Sequence, residues 1–462
     1  MIRALLILSL LLPRCAQAQS DRVDSCIAAQ MEYRHIPGLA LAVVRDGVPV
    51  KVRGYGLANV EHDVPVTPQT VFQSASLGKQ FTAMLVMWLV ERKVIELDRP
   101  ISDYFQNSPP SWRDITVRHL LTHTSGIPDY SEDSTGIHVN LRSDYTEDQL
   151  LEMAKQAPLD FRPGERWSYC NTGYDLLGFL IHKVTGRFYG DLLKECLFQP
   201  LHMETARVIS EADIVLHRAA GYRLEEGEWK NQEWVAPSLN TTADGSLYLS
   251  IRGMVNWAAA LDSGKIVSRK GFDEIWTPVR LNDGSTCPYG FGWFLTPING
   301  KRAISHEGDW QGFNTYIVRF PDDKLTVIVL VNLSPANPAQ IAQEVAGIYD
   351  PGLASLIPAA ILDSQPRITG IVRQLFAEPE AVTLDTAAFT LDFRRTVSTI
   401  RKAALDFRRR FGPVLSITLV GGPEKGDPHS LEYRIRYKVG SLIATITLSA
   451  TEEISSISSL LE

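Results

Sequence analysis

A chain of 462 residues that is 45% hydrophobic and 21% charged carries enough apolar material for a sizeable core and for more than one domain. Its net charge of −7, with basic residues scattered along the chain, argues against nucleic acid as a partner. No Cys-x-x-Cys or His-rich metal spacing is present, so a metal-dependent hydrolase is not expected, and neither is a cofactor.

Residues 1–18 read as an export signal. Met1-Ile2-Arg3 supplies a positive start, residues 4–12 form a short apolar core, and Ala16-Gln17-Ala18 matches a small-x-small cleavage site that leaves Gln19 first. The apolar run is too short to span a bilayer, which takes about 20 residues. A periplasmic or secreted mature chain is expected. It would keep Cys26, Cys170, Cys196 and Cys287, too few and too widely spaced for a disulfide framework.

A strand is expected over Leu39 to Val44. The first stretch that carries chemistry is Ser74-Ala75-Ser76-Leu77-Gly78-Lys79, where a strand-like segment ends and an apolar helical run from Phe81 to Val90 begins. Ser76 and Lys79 should share one face of the first turn of a buried helix, where unpaired N–H groups favour developing negative charge. A serine becomes nucleophilic when a neighbour takes its proton, and a lysine is a base only when burial or nearby positive charge lowers its pKa. Alone, Ser-x-x-Lys is more often a helix cap beside a surface lysine. Two later elements point to chemistry instead: Tyr169-Cys170-Asn171, and His306-Glu307-Gly308 after the strand-like Lys301 to Ser305. Cys170 is expected to turn into the core, and His119 and His123 to be hydrogen-bonded loop or helix-end residues.

Leu325 to Val331 reads as another strand, and Asp350-Pro351-Gly352 as a domain boundary. Beyond it, Phe393 to Phe411 has the spacing of an amphipathic helix. Leu431, Tyr433, Ile435, Tyr437 and Val439 alternate with charged residues, which predicts a strand with one apolar face. Gly440-Ser441 would turn the chain into a second strand, Leu442 to Leu448, with Val414 to Val420 as a third. The domains read as 1–18 signal peptide, 19–350 main domain and 351–462 accessory α+β domain. The accessory domain, a helix on a curved antiparallel sheet, is similar to cystatin-like or NTF2-like domains.

In their order and spacing, Ser76-x-x-Lys79, Tyr169-x-Asn171 and His306-x-Gly308 resemble the motifs of the serine penicillin-recognising hydrolases, a family of class C β-lactamases, DD-carboxypeptidases, esterases and D-peptidases. The resemblance runs from about residue 25 to about residue 335. It includes Arg118 to Gly126, Leu176-Leu177-Gly178, Val184-Thr185-Gly186, Pro200-Leu201-His202-Met203, Gly245-Ser246-Leu247-Tyr248 and Tyr289-Gly290-Phe291-Gly292-Trp293. It implies an α+β fold, in which an antiparallel sheet of about five strands with flanking helices abuts a helical subdomain. It also implies that Ser76 attacks the substrate carbonyl and that Lys79 and Tyr169 share the proton traffic. Asn171 and His306 would bind or orient substrate. Gly308 would let substrate lie against the strand edge, and the backbone N–H of Asp309 would join that of Ser76 in an oxyanion hole.

Glu307 departs from the small residue usual in the middle of the third motif. If it faces the pocket it repels substrate carboxylates. An ester or D-amino acid amide is therefore ranked above cell-wall peptides, and penicillins last. Two readings of other classes stand beside the hydrolase: a non-catalytic peptidoglycan-binding or scaffold protein, and a partner-binding protein acting through its C-terminal domain. Oligomeric state is left open.

Overall fold

The computed structural model describes residues 19–131, 137–354, 362–363, 365–378, 385–391, 393–422, 429–438 and 441–461. The export signal expected at residues 1–18 and the Gly440 turn lie outside them. Among the described residues, no helix is long and apolar enough to cross a membrane.

The chain divides into two compact units. The sequence alone suggests a single boundary near residue 350. The passage into the second unit falls after Ala354, and two upstream segments, 25–36 and 222–231, also belong to that unit. Long-range hydrogen bonds account for this. Within the second unit, Trp229 Nε1 donates to the His35 carbonyl at 2.6 Å, and Glu226 N donates to the Arg409 carbonyl at 2.5 Å. Neither pairing has a local sequence signal.

The first unit is built on a six-stranded antiparallel sheet. From one edge its order is Ile304–Trp310, Phe313–Phe320, Leu325–Val331, Gly38–Arg45, Val48–Asn59 and Val64–Pro65. The first long strand thus pairs with the last, Leu39 opposite Val331. Both are nearly unbroken apolar runs, buried on successive residues, the pattern of strands covered on both faces. On one face Ala40, Ala42 and Val44 join Met254, Trp257 and Leu261 of the helix Ile251–Ser263 in the main core. The helical subdomain centres on Lys79–Glu91 and Asn171–Thr185, which pack together. Lys79–Glu91 is apolar around most of its circumference, and nearly every residue is buried.

In the second unit the strands Val414–Gly421, Ser430–Tyr437, Ser441–Leu448 and Ile454–Leu461 lie in sequential order. The alternation read at Leu431, Tyr433, Ile435 and Tyr437 is the buried face. Phe407 and Phe411 of the helix Val397–Phe411 pack their rings on Tyr437. Two elements were not expected from the sequence: the helix Pro366–Phe376, although its Ile368, Ile371, Val372, Leu375 and Phe376 recur at helical spacing on one buried face, and the fourth strand, whose Ile-Ser-Ser-Ile-Ser-Ser-Leu-Leu lacks strict alternation.

Candidate active site

Ser76 sits on a short 3₁₀ turn, Ala75–Gly78, that runs directly into the helix beginning at Lys79. Residues three apart eclipse one another in a 3₁₀ turn, more closely than in the α-helix expected from sequence. As a result Lys79 Nζ lies 3.0 Å from Ser76 Oγ. The turn is tightly held. Ala75 takes φ +49°, uncommon for a residue with a side chain, and Ser74 Oγ donates to the Gly245 carbonyl at 2.7 Å. Glycines close in from two sides: a Cβ on Gly245 would lie 2.3 Å from the Ala75 carbonyl oxygen, and one on Gly308 would lie 2.3 Å from that of Ser74. This revises the purpose expected of Gly308. The space its side chain would take is filled by the nucleophile turn and by Thr315 Oγ1, not left for substrate.

Lys79 is fully buried. Its ammonium position is 2.7 Å from Asn171 Oδ1 and 2.6 Å from the Asp244 carbonyl. Burial lowers its pKa, opposed chiefly by the negative charges of Asp244 and Asp129. Asn171 opens the helix Asn171–Thr185, and Asp129 fixes it: one carboxylate oxygen accepts from the Asn171 backbone N–H at 2.7 Å and from its Nδ2 at 3.0 Å. Cys170 is buried as expected and also caps this helix, its sulfur accepting from Gly173 N at 3.3 Å and donating to the Ile127 carbonyl at 3.2 Å.

The Tyr169 hydroxyl is buried without a well-formed hydrogen bond among the described residues, although the Ser76 hydroxyl is near enough to favour its ionised form. Burial outweighs that neighbour and raises the phenol well above its ordinary pKa. The two groups are therefore driven apart, the amine toward its neutral state and the phenol toward its protonated one.

His306 lies in the edge strand Ile304–Trp310. It is 1% exposed, and both ring nitrogens meet protein groups: Nδ1 faces the Glu307 carbonyl at 2.6 Å and Nε2 the Tyr289 hydroxyl at 3.0 Å. A carbonyl only accepts, so the proton sits on Nδ1. The ring stands behind the cleft rather than in it. Burial, then the charge of Lys79, push its pKa down to about 3 from 6.5. An unfolded chain binds a proton there near pH 6.5 and the folded one does not until about 3, so stability should fall as pH drops between these values. Melting temperature should decline from pH 7 to 4, and His306→Asn should remove part of the decline; an unaltered slope would clear His306 of the effect.

A cleft of about 180 Å³ opens beside Ser76, lined among others by Tyr130, Asn171, Leu239, Asp244, Asp309 and Trp310. Larger cavities elsewhere, of about 680 and 350 Å³, contain none of these groups. Glu307, the residue suspected of facing the pocket, is exposed and not in the lining; Asp309, two residues on, is. The backbone of Asp309 is also suitably turned. Ser305 exchanges both backbone hydrogen bonds with Phe294, away from its sheet neighbour. The two-residue repeat then aims the N–H groups of Glu307 and Asp309 at the same open edge.

The structure thus brings Ser76, Lys79 and Asn171 into direct contact, with Tyr169 beside them and Asp309 in the same cleft. Asp129 and Asp244 were missed. Asp129 closes the stretch Gly126-Ile127-Pro128-Asp129, and Asp244 precedes Gly245-Ser246, so proximity to those signposts was the only available signal. Asp175 was missed too; it is buried with Oδ1 unpartnered among the described residues, and burial with the neighbouring Asp244 raises its pKa well above the carboxylate range. Among the described residues no group of three or more His, Cys, Asp or Glu side chains is placed to hold a metal ion, and Cys26, Cys170, Cys196 and Cys287 are unbridged.

The sequence profile of the beta-lactamase family matches residues 23–347. The chain belongs to that family of serine hydrolases. Its relatives include penicillin-binding protein 4* of Bacillus subtilis, 31% identical over 60% of this chain and 64% of that protein. The chain therefore spans just under two thirds of that relative's length. It is also similar to a D-aminopeptidase of Gluconobacter oxydans, 28% identical over 78% of this chain and 69% of that one. Two solved structures share the fold at 24% identity. The octameric penicillin-binding protein homologue from Pyrococcus abyssi covers 96% of each chain with a TM-score of 0.64. The D-amino acid amidase from Ochrobactrum anthropi covers 74% of this chain and 97% of its own, with a TM-score of 0.60. The α+β fold expected from the motifs is the fold of this family member.

Proposed function

We propose that the protein is an exported serine hydrolase that forms an acyl-enzyme on Ser76 and acts on carboxylate-free esters or amides, D-amino acid amides foremost. The observation that carries this reading is the fully buried Lys79 amine 3.0 Å from the Ser76 hydroxyl. Burying a lysine is costly, and a scaffold protein has no use for that cost. Lys79 takes the hydroxyl proton as Ser76 Oγ attacks the carbonyl carbon. The oxygen that becomes negative is met by the N–H groups of Ser76 and Asp309. Tyr169 gives its proton to the leaving group and takes up the one that Lys79 holds; water then cleaves the serine ester, its hydroxyl going to the acyl carbon and its other proton back to Ser76 Oγ.

The charge of the cleft guides the choice of substrate. Its charged lining residues are Asp244 and Asp309, and no Lys, Arg or His stands among the described lining residues. A substrate with a free carboxylate, such as a penicillin or a cell-wall peptide terminus, would find repulsion and no partner. A substrate ammonium would be attracted. The likeness to a D-aminopeptidase supports the same ranking. Export rests on the signal read at residues 1–18, and a periplasmic or secreted location follows from it.

Intact-mass spectrometry of protein expressed with its native N-terminus tests these points together. A fluorophosphonate should add one covalent mass that maps to Ser76, and the unlabelled mass should begin at Gln19. A D-amino acid amide should be hydrolysed faster than a peptide ending in a free carboxylate or a penicillin. No adduct on Ser76 would refute the hydrolase, faster turnover of the carboxylates would overturn the substrate ranking, and a retained residue 1 would overturn export.

A further inference from the structure

Tyr169 lies in an irregular stretch, residues 166–170, that belongs to no helix or strand. Nothing in regular secondary structure therefore fixes where its phenol points, yet the proposed proton transfer needs that oxygen at Ser76. His123, expected from the sequence to be a hydrogen-bonded loop or helix-end residue, supplies what is lacking.

Its backbone carbonyl accepts from the N–H of Ser168 at 2.9 Å, and its ring Nδ1 accepts from the N–H of Cys170 at 3.1 Å. One residue thus holds the chain immediately before and immediately after Tyr169. The imidazole also lies against the Tyr169 ring, with centroids 4.3 Å apart and planes tilted by 36°. Behind it stand Tyr289 at 4.7 Å and Tyr174 at 5.2 Å, so the imidazole is a spacer between Tyr169 and the aromatic core.

Three features set His123 apart from an ordinary packed histidine. It takes a left-handed backbone, φ +59°, which turns its carbonyl and its ring toward the same neighbouring segment. It is 1% exposed, and since Nδ1 is an acceptor the proton is on Nε2, which has no partner among the described residues. The ring therefore keeps one useful hydrogen bond, to the segment that carries Tyr169, while its other nitrogen goes unsatisfied.

We infer that His123 is a positioning residue for the reaction: it clamps both flanks of Tyr169 and supports its ring, so that the phenol is aimed at Ser76. The inference rests on the proposed acyl-enzyme reading. It predicts that His123 matters to catalysis only through Tyr169.

The test compares His123→Leu, His123→Asn, Tyr169→Phe and the double variant His123→Leu/Tyr169→Phe, by steady-state hydrolysis of an alkyl ester and by the rate of Ser76 labelling with a fluorophosphonate. His123→Leu loses both the acceptor and the ring, and kcat should fall about 100-fold, the usual worth of a positioned proton-transfer group, with KM changed less than about threefold. Asparagine tolerates the left-handed backbone and places an oxygen where Nδ1 was. His123→Asn should recover about tenfold of the loss, and it carries the test by itself if the leucine variant does not fold. Added to Tyr169→Phe, the His123 substitution should cost less than about threefold more, because residues acting as one unit are not additive. Full kcat in His123→Leu or His123→Asn, or an equal loss in the Tyr169→Phe background, would overturn the clamp. Failure of the wild-type protein to label at Ser76 would instead overturn the acyl-enzyme reading on which it rests.

Discussion

Lys79→Ala is expected to slow acylation of Ser76 by about 100-fold or more, the ordinary contribution of a positioned general base. The amine has three oxygen neighbours, Ser76 Oγ, Asn171 Oδ1 and the Asp244 carbonyl, at 2.6–3.0 Å, and no exposure to water. An alanine leaves a gap that solvent cannot refill with a base of the same reach. The pH dependence should identify the group. Burial favours neutral Lys79, so the rise of the acylation rate with pH should have its midpoint below the ordinary lysine value of 10.5. The phenol should show no matching limb near neutrality, since burial holds it protonated. Labelling rates measured across pH on wild type and Lys79→Ala check both statements. An unchanged rate in the variant would remove Lys79 from the mechanism.

Gly308→Ala should be nearly as damaging, although its site is a single missing methyl group. The added carbon would stand 2.3 Å from the Ser74 carbonyl oxygen, 2.6 Å from Thr315 Oγ1 and 3.0 Å from Ala75 Cβ. None of these can rotate away freely: Ser74 O already accepts from Thr315 Oγ1 at 2.6 Å, and Ala75 is pinned against Gly245. Overpacking of this kind costs about 1–3 kcal/mol. Moving the turn also shifts Ser76 relative to Lys79, and catalysis falls steeply with displacements near 1 Å. Thermal melting should show the destabilisation, and the fraction that remains folded should label at Ser76 at least about tenfold more slowly. Wild-type labelling by a destabilised variant would mean that Gly308 serves packing alone.

The fate of the third motif shows how sequence spacing and three-dimensional role diverge. His306 and Gly308 fall on alternate positions of one strand, and that alternation was readable. Which face would be covered was not. The face bearing Gly308 meets the serine turn, so a glycine that looked like room for substrate is a close contact within the protein, and His306 is enclosed with Tyr289. Asp309 then contributes to the cleft in place of Glu307.

Local chemistry was legible wherever it depends on short separations: Ser76 with Lys79, Tyr169 with Asn171, the buried strands over 39–44 and 325–331, and the alternating strand from Leu431. Helical spacing and strand alternation are properties of neighbours along the chain, so composition and period suffice to state them. The rest depends on segments about 40 to nearly 200 residues apart meeting in space. Asp129 holding Asn171, the Asp244 carbonyl holding Lys79 and His123 gripping both sides of Tyr169 are such pairings. So are the segments 25–36 and 222–231 that join the C-terminal unit. No local pattern encodes these contacts, because burial and hydrogen-bond partners are assigned only when the whole core closes.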